Sequence, residues 1–335
     1  MTPFGYRRPE GVDDAIQQLD RTHVPYAGGT DLLPRIKLGL DRPEQVLDLK
    51  GTGMSDQIVD HGDEVTFGAL TTIAAVERSP LVGRRLAALA EAAALTATPQ
   101  IRNRATLGGN LAQRPRCWYY RDPQIDCWLK GGDHCPARSG RNEHHAIFDE
   151  SPCVAVHPSD LAACLTACEA TVHLRSSGGT TALAVADFFA APTDDRRRET
   201  ILGDDQLISE VHVPAPAGTV STYRKAMDRR AWAFALVGVA VVARFDGSAI
   251  SHVRVVLSGV ANTPYRATAT EDALLGAELD DDVIEQAASA ALAGAAPLAG
   301  NRYKQQLVTA LIRDAVTALR PRNDPADGEF SEVVA

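Results

Sequence analysis

Between residues 113 and 153 the chain shows little helical or strand periodicity, yet it places four of its six cysteines there. Loops of that length are uncommon in a compact domain unless they carry a site, so any fold for this chain must accommodate the stretch as a functional insertion. The cysteines are Cys117, Cys127, Cys135 and Cys153, set in RPRCWYYRDPQIDCWLKGGDHCPARSGRNEHHAIFDESPC with nine, seven and seventeen residues between them. Four thiolates converging from loops are what a [4Fe–4S] cluster requires, one sulfur to each iron. A closed tetrahedral zinc site could use the same four ligands, although such sites usually include a close Cys-x2–4-Cys pair, absent here. Two disulfides also fit the count, but no secretory leader is evident and a reducing compartment disfavours them. The spacing favours iron–sulfur and leaves the other two open.

The surroundings fit a buried polar centre. Trp118, Tyr119, Tyr120 and Trp128 flank two of the cysteines and could shield a cluster from water. Arg114, Arg116, Arg121 and Lys130 bring positive charge that would offset thiolates. The adjacent His144 and His145 read as loop surface. Cys164 and Cys168, four apart in DLAACLTACEATV, read as buried positions of an apolar helix. The net charge of −9 and pI near 5.5 argue against a nucleic-acid footprint. No apolar run reaches the roughly 18 residues of a membrane span.

Around the insertion the pattern is mixed α and β. PEGVDDAIQQLD reads as a helix with an acidic first turn. VPYAGG, QVLDLK and DEVTFGALTTI read as strands, and VERSPLVGRRLAALAEAAALTATP as a helix running to Pro99. HPSDLAACLTACEATVHLRS gives helix then strand, ADFFAAPTDDRRRET a loop, and QLISEVHVP an alternating strand. Past Pro216, a long β-branched strand, a DG turn and a second strand form a hairpin signature, with two helices after it. No internal repeat is visible.

Two glycine pairs follow strand-like segments: Tyr26-Ala27-Gly28-Gly29-Thr30-Asp31-Leu32 and Thr106-Leu107-Gly108-Gly109-Asn110. Glycines let backbone N–H groups approach phosphate oxygens, and Thr30 adds a hydroxyl. Neither is a G-x-G-x-x-G fingerprint or a P-loop. Each reads alone as an ordinary tight turn, and sequence spacing does not show whether the two meet.

AGGTDLL, TLGGNLA, HPSDLA and YRKAMDRRAWAFALVGVAV occur here in the order seen in the flavin-binding subunits of the molybdenum hydroxylases, and the chain resembles that family over roughly residues 1–325. The cysteine stretch is most similar to the iron–sulfur flavoprotein subunit of bacterial aldehyde oxidoreductases. The resemblance implies an α+β fold: a PCMH-type, vanillyl-alcohol-oxidase-like FAD-binding domain over 1–218 with its [4Fe–4S] insertion at about 113–153, a carbon monoxide dehydrogenase flavoprotein C-terminal-like domain over 219–325, and a polar tail over 326–335. It implies FAD with its diphosphate held by Ala27 to Leu32 and Thr106 to Asn110, with Tyr26 beside them. It further implies FAD contacts from Asp160, from Ile208 near the isoalloxazine, and from Lys225 near the flavin ring. Without the resemblance, Asp160 would be a helix N-terminal residue and Lys225 a surface charge. One departure stands out: Asp31 occupies a position where the family often has Asn or Ser, and it would face away from a diphosphate or cap the following helix.

The resemblance implies the middle subunit of a heterotrimeric aldehyde oxidoreductase, with a molybdopterin-binding large subunit and a small subunit carrying two [2Fe–2S] clusters. Electrons would pass through FAD to an external acceptor. No catalytic nucleophile set is expected, and no nucleic acid or membrane partner. The expected location is cytoplasmic, with periplasmic co-export beside a signal-bearing partner as the alternative. The rival readings are a zinc-stabilised, non-catalytic assembly subunit, a stand-alone flavin oxidase, and the β subunit of a 4-hydroxybenzoyl-CoA reductase-like enzyme, whose cysteine spacing differs.

Overall fold

Strands far apart in sequence pair into three sheets, and the longest excursions between them carry the site. The computed structural model describes residues 2–148, 150–229 and 233–320, so the expected tail over 326–335 lies outside the described residues. A small parallel sheet joins β1 (Gly5–Arg7), β2 (His23–Tyr26) and β3 (Gln45–Asp48) in the order β1-β3-β2. An antiparallel sheet joins β4 (Ile58–Asp60), β5 (Glu64–Gly68), β6 (Thr171–Ser176), β7 (Gly179–Ala184) and β8 (Leu207–Pro214) in the order β4-β5-β8-β6-β7. Because β5 pairs with β8, the chain between them, including the cysteine stretch, is held at both ends by one sheet.

The third sheet is antiparallel: β9 (Val220–Ala226), β10 (Val237–Asp246), β11 (Ala249–Ser258) and β12 (Tyr265–Arg266), in the order β12-β11-β10-β9. The hairpin expected at the DG turn is present, with Asp246 opposite Ala249. Strand β10 has no polar alternation because both its faces are covered. Val239, Val241 and Ala243 enter the core with the C-terminal helices, including Tyr303–Thr317, while Ala240 and Val242 enter the larger core with Leu89 and Leu161 of the preceding helices. Among the described residues no helix is long and apolar enough to cross a membrane.

The alanine-rich segment differs from the single helix expected. It is three helices, Ile73–Arg78, Pro80–Arg85 and Ala87–Leu95. Ser79 ends the first and caps the second, its hydroxyl accepting from the Val82 amide at 3.4 Å. Pro99 does not stop a helix; it opens the turn Pro99–Arg102, where a first-turn proline lacks only an amide that would have no helical partner.

A buried ion pair pins the third sheet to the rest of the chain. Asp160, the first residue of the helix Asp160–Ala167, meets the Lys225 ammonium of β9 at 2.7 Å, their side chains only 4% and 1% exposed. The Tyr223 hydroxyl donates to Asp160 at 2.7 Å, and Lys225 also donates to the carbonyls of Leu95 and Ala233. Lys225 is therefore no surface charge. Removing one partner of such a pair leaves an uncompensated buried charge, at a cost of about 3–5 kcal/mol. Lys225→Met should lose about that much, and adding Asp160→Asn should restore part of it. Urea unfolding followed by circular dichroism measures both; no recovery in the double variant would mean that charge is not the cause.

Candidate functional site

The two glycine turns meet. A side chain at Gly28 would strike the carbonyl of Arg104, two residues before Thr106, so only glycine allows this approach. Gly29 has φ +71°, in the left-handed region. The second segment is not a loose turn: Thr106 caps a short helix, Leu107–Leu111, its hydroxyl accepting from the Gly109 amide at 3.2 Å. The two segments differ in what they offer. The amides of Leu107, Gly108 and Asn110 are spent on the carbonyls of Thr71, Ala69 and Thr106. The amides of Gly28, Gly29 and Thr30 reach no main-chain acceptor among the described residues. The first turn is a donor cradle, whereas the second is mainly a wall.

Between them opens a cleft of about 610 Å³, within the usual range of cofactor sites. Ala27 to Leu32 line it, as do Thr106, Gly108, Gly109 and Ile208. The other residues singled out in the sequence lie elsewhere. Tyr26 stacks edge-on against Tyr6 and carries the Lys50 ammonium 4.1 Å from its ring centre. Leu107 is core, and Asn110 accepts from the Ser159 hydroxyl at 2.5 Å. Asp160 and Lys225 sit at the seam described above, with Asp160 also lining a second cavity of about 120 Å³.

Asp31 neither faces away nor caps the helix Leu32–Lys37 with its side chain. It is buried among Arg35, Arg116 and Arg121 at 2.7, 2.9 and 2.8 Å, and accepts the Arg114 amide at 3.0 Å. Burial alone would raise its pKa. Arg116, Arg35 and Arg121 outweigh that and hold it at about 2. The arginines expected to offset thiolates are therefore largely engaged with carboxylates: Arg116 and Arg121 pair with Asp31, and Arg114 pairs with buried Glu199 at 3.2 Å. Lys130 turns its ammonium to the carbonyl of Asp122.

Beyond this cluster the four cysteines gather. Cys117, Cys127 and Cys153 pack with Tyr120, Trp128 and Leu129, and Cys135 packs beside Ala137 and Val154. All six cysteines are free thiols, so the two-disulfide alternative is not what the fold adopts. Three of the four precede single helical turns, Trp118–Arg121, Trp128–Lys130 and Pro136–Arg138, giving the stretch more local order than its sequence suggests. Amides just after these three favour their thiolates without closing into capping hydrogen bonds: those of Tyr120 and Tyr119 for Cys117, Leu129 and Lys130 for Cys127, and Ala137 for Cys135. Burial still pushes Cys117 up to about 12 and raises Cys127. Cys135 and Cys153 titrate as a pair, Cys135 lowered and Cys153 raised by the other's thiol. Among the described residues no three His, Cys, Asp or Glu side chains form a shell for a single metal ion.

Several residues that pack against the cysteines were not singled out in the sequence. The loop that follows helix Val185–Phe188 covers them. The Trp128 indole donates to Asp194 at 3.1 Å, Arg197 lies 4.7 Å over the Trp128 ring, and Ser151 donates to the carbonyl of Pro192 at 2.6 Å. Glu199, from the same loop, also lines the cleft; burial raises its pKa against the pull of Arg114. On the other side, Asn262 donates to the carbonyls of Cys153 and Ala155. The run RRRE over 196–199 was the one local hint of these contacts. His145 is not loop surface: it is 2% exposed, with Nε2 3.2 Å from the Cys117 sulfur. Cys164 and Cys168 are buried, as expected.

Residues 2–216 match the FAD binding domain in molybdopterin dehydrogenase, and residues 221–319 the CO dehydrogenase flavoprotein C-terminal domain. The chain belongs to the FAD-binding medium subunits of the molybdenum hydroxylases. It is 36% identical to the aldehyde oxidoreductase FAD-binding subunit PaoB of Escherichia coli, over 96% of this chain and 99% of that one. It is 31% identical to the carbon monoxide dehydrogenase medium chain of Hydrogenophaga pseudoflava, over 94% and 96%. A solved structure of the carbon monoxide dehydrogenase from that organism, lacking the Mo-pyranopterin moiety of its molybdenum cofactor, superposes with a TM-score of 0.75 at 30% identity, covering 95% of this chain and 98% of that one. As a medium subunit of this family, the chain is a flavoprotein component of an oxidoreductase.

Within such a medium subunit, Asp31 ties the cleft-lining first glycine turn to the cysteine stretch. Its pKa is lowered by folding, so the stabilisation is fully present above the ordinary value of 3.8 and is lost as pH falls through about 2. Asp31→Asn should cost about 2–4 kcal/mol at neutral pH, since Arg116 and Arg121 lose their counterion and Arg35 keeps only Asp41. The gap between variant and wild type should narrow once the pH drops below about 3.8. Urea unfolding at a series of pH values checks this, and a gap that does not change with pH would exclude ionisation as its source.

Proposed function

We propose that this chain is the FAD- and [4Fe–4S]-binding middle subunit of a heterotrimeric, molybdenum-dependent aldehyde oxidoreductase. In this reading a molybdopterin-binding large subunit oxidises the aldehyde, a [2Fe–2S] small subunit relays electrons, and this subunit passes them to an external acceptor. The division at 218/219 would separate the FAD-binding domain from the C-terminal one. Support for the substrate class comes from the Escherichia coli relative, whose name specifies an aldehyde oxidoreductase.

The observation that carries the reading is four free cysteines gathered behind the same Asp31 network that anchors the cleft-lining turn. The residues fit both groups. For FAD there is a cleft of suitable size, the close glycine approach, and the unspent amides of Gly28, Gly29 and Thr30, with Ile208 supplying an apolar surface. For a cluster there are Cys117, Cys127, Cys135 and Cys153, with buried aromatics around them. A four-iron cluster spreads its ligands wider than the shell of a single ion, which suits thiols that are gathered but not converged on one point. When bound, FAD and the cluster supply the redox chemistry. The chain's own part is to hold the diphosphate on the first turn, keep water from the cysteines, and fix the two sites relative to each other. Asp160 and Lys225 would serve FAD indirectly, by setting the seam.

Two experiments test this. Gly109 faces open space except for the Thr106 hydroxyl, so Gly109→Val should fold yet occlude the cleft and lose most of its FAD. Flavin released from the purified complex measures it, and stoichiometric FAD in the folded variant would remove this wall from the site. Each of Cys117→Ser, Cys127→Ser, Cys135→Ser and Cys153→Ser should drop iron well below four per chain, because ligands act as a set, whereas Cys164→Ser should not. Full iron in any two of the four would refute the ligand assignment.

A further inference from the structure

We propose that His145 donates a hydrogen bond from Nε2 to the Cys117 sulfur and thereby sets how readily the iron–sulfur centre takes up an electron. This rests on the iron–sulfur reading above and assigns a tuning residue within it. The contact is 3.2 Å long and part-buried, with His145 itself 2% exposed.

The ring is held in place. It packs edge-on against Trp118 with ring centres 5.2 Å apart, and tilted against Tyr119 at 6.2 Å. Its main chain is fixed from both sides. The His145 amide donates to the carbonyl of Asn142 at 3.1 Å, and its own carbonyl accepts from Asn301 and from buried Lys304 at 3.1 and 2.9 Å. Asn301 and Lys304 belong to the C-terminal part of the chain, so the imidazole orientation is imposed by residues more than 150 positions away. The other ring nitrogen, Nδ1, is buried without a hydrogen-bond partner among the described residues.

Chemistry then fixes the direction of the hydrogen bond. A cysteine sulfur bound to iron has lost its proton and can only accept, so a hydrogen shared across this contact comes from the imidazole. Nothing opposes placing it on Nε2, because no acceptor competes for it at Nδ1. An N–H aimed at a ligating sulfur withdraws electron density and favours the reduced centre, one of the levers by which proteins set iron–sulfur potentials. A side chain that only packed the loop would have no such effect.

The test is an EPR-monitored redox titration of the purified complex, with iron and FAD quantified first. His145→Phe keeps a ring between Trp118 and Tyr119 but has no N–H; it should retain iron and shift the cluster potential to more negative values. His145→Gln offers an amide N–H and should return part of that shift. Loss of iron from His145→Phe but not from His145→Gln also upholds the donated hydrogen bond. An unchanged potential in iron-replete His145→Phe, or loss of iron from both variants, overturns it in favour of packing alone. Iron-free wild-type complex would instead remove the iron–sulfur reading itself, and this assignment with it; the iron analysis separates that failure from the others.

Discussion

One carboxylate, Asp31, decides how the site is assembled. It lies on the glycine turn that lines the cleft, yet its partners Arg114, Arg116 and Arg121 come from the cysteine stretch more than eighty residues later. Without it, the Arg116 and Arg121 guanidinium groups would crowd Arg35 in a poorly solvated space, and the stretch would lose its attachment to the first sheet. With it, a loop too long to order itself gains a fixed end. Glu199 repeats the arrangement from the opposite side, neutralising Arg114 while lining the same cleft. The interior between cleft and cysteines is therefore ionic and internally balanced, not simply positive.

That balance was only half visible in the sequence. The arginines around the cysteines are easy to see, and their charge suggested service to thiolates. Which carboxylate answers which arginine depends on contacts across most of the chain, so local reading assigned them wrongly. Asp31 seemed out of place beside a phosphate-binding turn for the same reason: its counterions were invisible at that distance. His145 was misread because a polar pair in an aperiodic loop normally faces water, whereas here Asn301 and Lys304 pull the backbone inward.

What depended on local rules was legible. The hairpin at the DG turn, the apolar helix bearing Cys164 and the alternating strand at 207–214 follow from periodicity and turn chemistry alone. The order of motifs pointed to the family that the comparisons then established. Strand β10 could be recognised as a strand, but not that its alternate residues serve two different cores, because an all-apolar run does not say what covers each face. Pro99 misled as a stop signal, since a proline is equally at home as the first residue of a new turn.

The unequal glycine segments have a consequence for how the subunit fills. Only the first has amides left to give, and that turn is bolted through Asp31 to the cysteine-bearing stretch. A group bound on either side would favour the same ordered arrangement of the shared arginines. By thermodynamic reciprocity, whatever one occupant contributes to the affinity of the other is returned in equal measure. In the proposed reading, cofactor loading would be coupled through this one ionic joint, each occupant reinforcing the other in either order of arrival.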